Sequence, residues 1–237
     1  MRWPWAILGP SQSVESQVDS RPAVVTISSV YGTRGEYVGR EVAARLNLPF
    51  LDRAIPATVA SEVMSSFAEI SYREHHPVHG LSQWMSFFSP LGSAWLGIPE
   101  PLEPWRSERE YLDHTEAVMR RAAGRGVVIL GRGAAVVLRD HPAALHVRLD
   151  GPPAKRLAQA LSLGAGDEAQ ARRAQKETDS ARRQYLQHFY RVDVREPSLY
   201  HLYLDATAIP TTSCVDLIVA AALARVEACG RQDGEME

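Results

Sequence analysis

The chain has little cysteine, no excess of charge and no long apolar run. Of 237 residues only Cys214 and Cys229 are cysteines, in neither a C-x-x-C nor a metal-ligand spacing. A disulfide framework is therefore excluded, and a reducing cytoplasm is the expected setting. The formal net charge of -2 leaves no basic field to attract nucleic acid. No apolar stretch approaches the ~20 residues that a membrane helix needs, so no membrane association is expected. There is no internal repeat, and no chain order supports a Ser-His-Asp or Cys-His nucleophile. The opening M-R-W-P-W-A-I-L-G-P carries one positive charge and a short apolar run broken by Pro4, so it reads as a tail and not as a signal peptide. With the polar stretch Ser11 to Ser20 it makes residues 1–20 an expected disordered N-terminal tail.

The organising stretch runs from Val24 to Asp52. Val24, Val25 and Ile27 form a short β-rich run, as a buried parallel strand should. Tyr31 to Gly35 then holds two glycines in five residues. Val38, Val42 and Leu46 follow at i, i+4 and i+8, with Arg40, Glu41 and Arg45 off that stripe, which predicts an amphipathic helix. Asn47 is its expected stop, supported by Pro49. A strand feeding a helix through a glycine turn aims backbone N–H groups and the positive helix end at one point, which suits a phosphate. The lysine of the phosphate-binding loop G-x-x-x-x-G-K-[ST] is missing, because no register of that motif fits. A plain β-turn-α connection is the alternative reading of the loop.

Further on, Ala54 to Tyr72 has helical spacing. Arg73 to Pro104 is rich in proline, glycine and aromatics, among them Trp84, Phe87, Phe88 and Trp95. It reads either as a lid or partner surface or as a self-packed excursion. His75, His76 and His79 within it are read as surface histidines, and no metal site is expected. Ser107 and Glu110 form a capping box for a helix ending at Ala123. Val127 to Leu130 is a buried strand with Gly131-Arg132-Gly133 at its carboxyl end. Ala134 to Leu138 is a short helix, and Ala143 to Leu149 a strand whose alternation looks interrupted by His146 and Arg148. Pro152-Pro153 opens a helix carrying Leu157 and Leu161, which Gly164 and Gly166 break. Asp167 to Tyr190 is a long charged helix, His201 to Leu204 a late strand, and Val215 to Ala228 a closing helix. Alternating strands and helices predict a parallel sheet with helices on both faces, and put the turns at Gly32 and Gly131 on one rim.

The charged helix admits two readings. Its arginines could neutralise a moving phosphoryl group, and Asp179 and Arg182, three apart, share a face. Composition alone favours a solvated helix laced with ion pairs.

In order along the chain stand Ser-x-x-Tyr31-Gly32-x-x-Gly35, Leu48-Pro49-Phe50-Leu51-Asp52-Arg53, Val128-Ile129-Leu130-Gly131-Arg132 and Thr178-Asp179-x-x-Arg182-x-x-Tyr185. Phe189-Tyr190-x-Val192-Asp193, Pro197, Tyr200-His201-Leu202 and Asp205 follow. This series resembles the cytidylate-kinase-like family, a branch of the P-loop nucleoside monophosphate kinases, over roughly residues 23 to 226. The resemblance implies an α/β, three-layer P-loop NTPase-like fold with a parallel five-stranded sheet. It implies one domain over 21–230, with a monophosphate-binding insertion at about 54–106, a small LID near 160–180 and a tail at 231–237. It implies transfer of the ATP γ-phosphate to CMP or dCMP with magnesium. Gly32, Thr33 and Gly35 would sit at the ATP phosphates, and Arg156, matching an arginine expected on the helix leading to the LID, would also bind the cofactor. Arg132 would grip the monophosphate, Asp179 and Arg182 would hold the cytidine nucleotide, and Arg53 would meet the acceptor.

Two departures from the family pattern bear on the loop. Arg34 stands where the family usually has glycine, and would replace the missing lysine as the phosphate cation. Glu36 lies near the phosphate position, where an inward carboxylate ~4 Å from a phosphate charge would oppose binding by about 4 kcal/mol at an effective dielectric near 20. It is expected to point outward. An inactive relative that binds a nucleotide, or a protein through the aromatic insertion, is the second reading; a kinase for another small molecule is the third. A homo-oligomer also stays open.

Overall fold

The computed structural model describes residues 22–51 and 108–234. The expected N-terminal tail, Arg53, the insertion at about 54–106 with its aromatics and histidines, and the side chains of the Ser107–Glu110 capping box lie outside the described residues.

Five parallel strands form one sheet in the order β2-β3-β1-β4-β5. They are β1 (Val24–Ser29), β2 (Phe50–Leu51), β3 (Val127–Leu130), β4 (Ala144–Asp150) and β5 (Leu202–Asp205). The helices are α1 (Gly35–Leu46), α2 (Glu108–Ala123), α3 (Ala134–Val137), α4 (Pro153–Ser162), α5 (Glu168–Tyr190) and α6 (Thr211–Gly234). Because β1 is central, its backbone is paired on both sides, and its carboxyl end opens where the chain leaves toward α1 on one side and the β3 turn on the other. Ligands of open parallel sheets bind at such a point.

Two apolar layers sandwich the sheet. On one face Val25, Ile27, Leu130, Val147 and Leu149 pack with Val38 and Val42 of α1 and with Cys214, Val215 and Ile218 of α6. On the other, Val24, Val127, Ile129 and Ala144 pack with Met119 of α2 and Val137 of α3. Val38 and Val42 are fully buried, as the helical stripe predicts. Asn47 caps α1 in the left-handed conformation at φ 52°. Asp167 caps α5, its carboxylate accepting from the Gln170 N–H. The last helix begins four residues earlier and ends six later than its apolar stripe suggested. Cys214 is a buried hydrophobe of the core, and neither cysteine forms a disulfide. Among the described residues no helix is long and apolar enough to cross a membrane.

Strand β4 corrects the sequence reading. Its alternation is uninterrupted: Leu145, Val147 and Leu149 join the α1–α6 layer, while Ala144, His146, Arg148 and Asp150 alternate with them on the opposite side. His146 and Arg148 are 3% and 2% exposed, so this second row is polar and nonetheless buried. Both side chains make polar contacts in the interior, though among the described residues His146 Nε2 has no hydrogen-bond partner. The Thr26 hydroxyl lies 2.7 Å from His146 Nδ1, and the His201 ring stacks on His146 at 4.8 Å between centroids.

Burial, with the nearby His201 and Arg225, pushes His146 down from 6.5 to about 4. The unfolded chain therefore binds a proton that the folded one refuses as pH falls between these values. Stability is unaffected above pH 6.5 and is lost on acidification toward pH 4, by on the order of 3 kcal/mol. Urea unfolding from pH 7 to pH 4 should show this loss, and His146→Gln should flatten it. An equal acid slope in the variant would assign the effect to other groups.

Candidate active site

The loop between β1 and α1 is built by its own backbone. The Thr33 N–H and hydroxyl both donate to the Val30 carbonyl, at 3.3 and 2.8 Å, so the 1%-exposed Thr33 side chain closes the turn. Gly32 sits at φ +82°, packed on the Arg156 backbone, and Arg34 precedes the helix in the left-handed conformation at φ 56°. For a non-glycine residue that conformation costs roughly 1–2 kcal/mol. No side chain caps α1, and its first backbone bond runs from the Val38 N–H to the Arg34 carbonyl at 3.0 Å. The amides of Gly35, Glu36 and Tyr37 thus have no backbone partner among the described residues. Orphan amides at the positive end of a helix favour an anion. Glu36 points outward, paired with Arg40 at 3.0 Å. The Arg34 guanidinium donates to the Thr211 hydroxyl at 3.2 Å and lies 4.5 Å from the Tyr37 ring centroid.

The second turn follows β3. Gly131, Arg132 and Gly133 take φ values of 79°, 57° and 71°, three left-handed residues in succession. Two glycines make the turn accessible, and Arg132 between them carries the strain, a pattern that clusters at functional sites. The Gly131 N–H donates to the Ile27 carbonyl at 2.9 Å, which ties this turn to β1. The two turns share a rim, as the topology predicts. A cavity of about 80 Å³ opens there; Ser28, Arg132, Arg182, Tyr185 and Tyr200 supply its polar lining, and Ile27, Leu130, Leu186 and Val194 its apolar walls.

Helix α5 brings both its motif residues to the same place. Arg182 donates to the Ser29 carbonyl at the end of β1. Asp179 accepts from the Tyr31 N–H at 2.9 Å and from Arg156 Nη1 at 2.7 Å. Arg156, on α4, also donates to the carbonyls of Tyr31 and Gly151, each at 2.9 Å. The first turn of α5 fits the solvated reading, with Arg172 and Glu168 forming an exposed pair. The range 160–180 covers the end of α4, the turn to α5 and the first half of α5.

Ser28 belongs to the Ser-x-x-Tyr31 motif but carries no assigned role there, and Arg148 and Asp150 belong to no motif. Arg148 donates to the Ser28 hydroxyl at 2.8 Å and twice to one Asp150 oxygen, at 2.9 and 3.1 Å. The Tyr203 hydroxyl donates to the same oxygen at 2.9 Å. Burial raises the Asp150 carboxyl, but the Gly151 N–H and Arg148 outweigh it and hold the group below the ordinary range. The period-two placement of His146, Arg148 and Asp150 was the available signal. Among the described residues no cluster of three or more His, Cys, Asp or Glu converges to hold a metal.

A Cβ on Gly35 would fall 2.1 Å from Ser29 Oγ and 2.4 Å from its Cβ, so rotating the serine does not relieve it. One on Gly32 would meet the Arg156 carbonyl oxygen at 2.3 Å. Gly35→Ala and Gly32→Ala should each destabilise by about 1–3 kcal/mol in urea titration. Gly230→Ala, on α6 with nothing within 4 Å, should gain up to about 1 kcal/mol.

No curated protein sequence matches the chain. Among solved structures, an uncharacterized protein from Eubacterium ventriosum ATCC 27560 is 16% identical, covers 85% of this chain and 98% of its own, and has a TM-score of 0.58. That likeness shows the shared fold. A gluconokinase from Sinorhizobium meliloti 1021 is 15% identical, with coverage of 92% and 99% and a TM-score of 0.43. A shikimate kinase from Bacteroides thetaiotaomicron is 15% identical, with coverage of 86% and 98% and a TM-score of 0.39. The model of the cytidylate kinase-like family matches residues 24–208, the span that holds both turns and the α4–α5 pair. The chain belongs to the cytidylate kinase-like family.

Proposed function

We propose that the protein transfers the γ-phosphoryl group of ATP to a nucleoside monophosphate, CMP or dCMP, in the cytoplasm. Membership in a kinase-like family supports phosphoryl transfer as the chemistry. The observation that carries the reading is the cavity lined by Arg132 and Arg182 at the carboxyl end of β1, the strand whose following loop leads into the α1 terminus. In the reaction a phosphate oxygen of the acceptor bonds to the γ-phosphorus. The bond from that phosphorus to the bridging oxygen of ADP breaks, and the charge returns to ADP. Such a transfer depends on positioning and on cations around the moving group. The amides of Gly35, Glu36 and Tyr37 would receive the donor phosphates, with Gly32 and Thr33 shaping the loop. Arg34 would be the loop's cation, and Arg132 and Arg182 would hold the acceptor.

Magnesium, when bound, would neutralise charge between the donor's phosphates. At the rim Glu36, Asp150 and Asp179 are each paired with an arginine.

A second reading, a nucleotide-binding relative without turnover, draws on the absent lysine and on the engagement of Arg34 with Thr211 and Tyr37. Titration with CMP and with ATP–magnesium, followed by a coupled assay of ADP release, separates the two. The kinase reading expects CMP-dependent ADP release that falls about 100-fold in Arg132→Ala. Arg34→Ala should also lower it. Binding without turnover would establish the second reading, and no binding of either nucleotide would remove both.

A further inference from the structure

We propose that Asp179 and Arg156 act as a positioning pair that fixes the phosphate loop, so that Asp179 works on the donor side of the site. The inference deepens the kinase reading and rests on it for its ligand. The Tyr31 backbone is held on both sides of its Cα: its N–H donates to one Asp179 oxygen and its carbonyl accepts from Arg156 Nη1. The other Asp179 oxygen accepts from the same Nη1 at 2.7 Å, closing a ring of three charge-assisted bonds around one residue. Arg156 is 6% exposed, and its Nε is anchored on the Gly151 carbonyl after β4. Gln175 adds a bond from its side-chain N–H to the Pro153 carbonyl at 2.9 Å, joining α4 to α5 one turn before Asp179.

The residue so held immediately precedes Gly32, which lies against the Arg156 backbone and leads into the α1 amides that lack a backbone partner among the described residues. Orienting amides in advance avoids an ordering cost at binding. One Asp179 oxygen accepts from the loop and the other from Arg156, so this carboxylate acts on the donor side through the loop's backbone. Charge supports the assignment: a carboxylate facing phosphates would repel them, whereas one neutralised by Arg156 does not.

The test is hydrogen exchange of the nucleotide-free full chain, with binding of ATP–magnesium and CMP measured on the same preparations. In Asp179→Ala, amide exchange over residues 30–35 should rise at least tenfold while residues 24–28 stay protected. ATP affinity should fall about tenfold, with CMP affinity changed less than twofold. Asp179→Asn keeps an acceptor for the Tyr31 N–H but loses the ion pair, and should fall between. It also stands in if the alanine variant fails to fold. Arg156→Lys should resemble Asp179→Asn. Unchanged loop exchange, or a loss confined to CMP affinity, would overturn the proposal and return Asp179 to the acceptor. If the wild-type chain binds neither nucleotide the kinase reading fails, while the exchange result still decides whether the pair holds the loop.

Discussion

One carboxylate joins the parts of this molecule that the chain keeps far apart. Asp179 stands 148 residues from Tyr31 and 23 from Arg156, and both close on it. Without that meeting, α4 and α5 would contact each other but make no bond to the Tyr31 backbone through Asp179. A buried ion pair is weak evidence for stability, since desolvation offsets its attraction. It is better evidence for geometry, because its bonds are directional and leaving either partner alone in the interior is costly.

The same logic runs along the rim. Arg148 and Asp150 on β4, Ser28 on β1 and Tyr203 on β5 form a second polar group, and Asp150 lies 3.9 Å from Arg156. Polar contacts thus continue from the edge strand to the loop after β1. The apolar layers position the strands, and the polar row sets the angles of the groups at their carboxyl ends. Two arginines, Arg34 and Arg132, occupy left-handed positions at the ends of adjacent strands. In both the backbone accepts strain that glycine would avoid, which is reasonable where the side chain is wanted at that spot.

Much of the fold was legible in the sequence, because burial leaves a periodic trace. The strands at Val24 and Val127, the stripe Val38–Val42–Leu46, the stop at Asn47 and the breaks at Gly164 and Gly166 are local consequences of side-chain direction and of glycine's freedom at positive φ. The turns at Gly32 and Gly131 could be placed on one rim because parallel sheets allow little else. The family's motif order added the kinase expectation, which the family match supports. The polar face of β4 was misread because His146 and Arg148 look like interruptions when polar residues are assumed to face water.

The sequence by itself determined the alternating α/β pattern, the family and the candidate residues, since these depend on residue type and spacing. Only the tertiary structure decided what those residues touch. That Glu36 turns out to Arg40, that Thr33 spends its hydroxyl on the turn, and that Asp179 grips the Tyr31 peptide are matters of distance between segments. Such distances follow from how α4, α5 and the sheet pack. A helical spacing of three fixes that Asp179 and Arg182 share a face; it leaves open what that face meets.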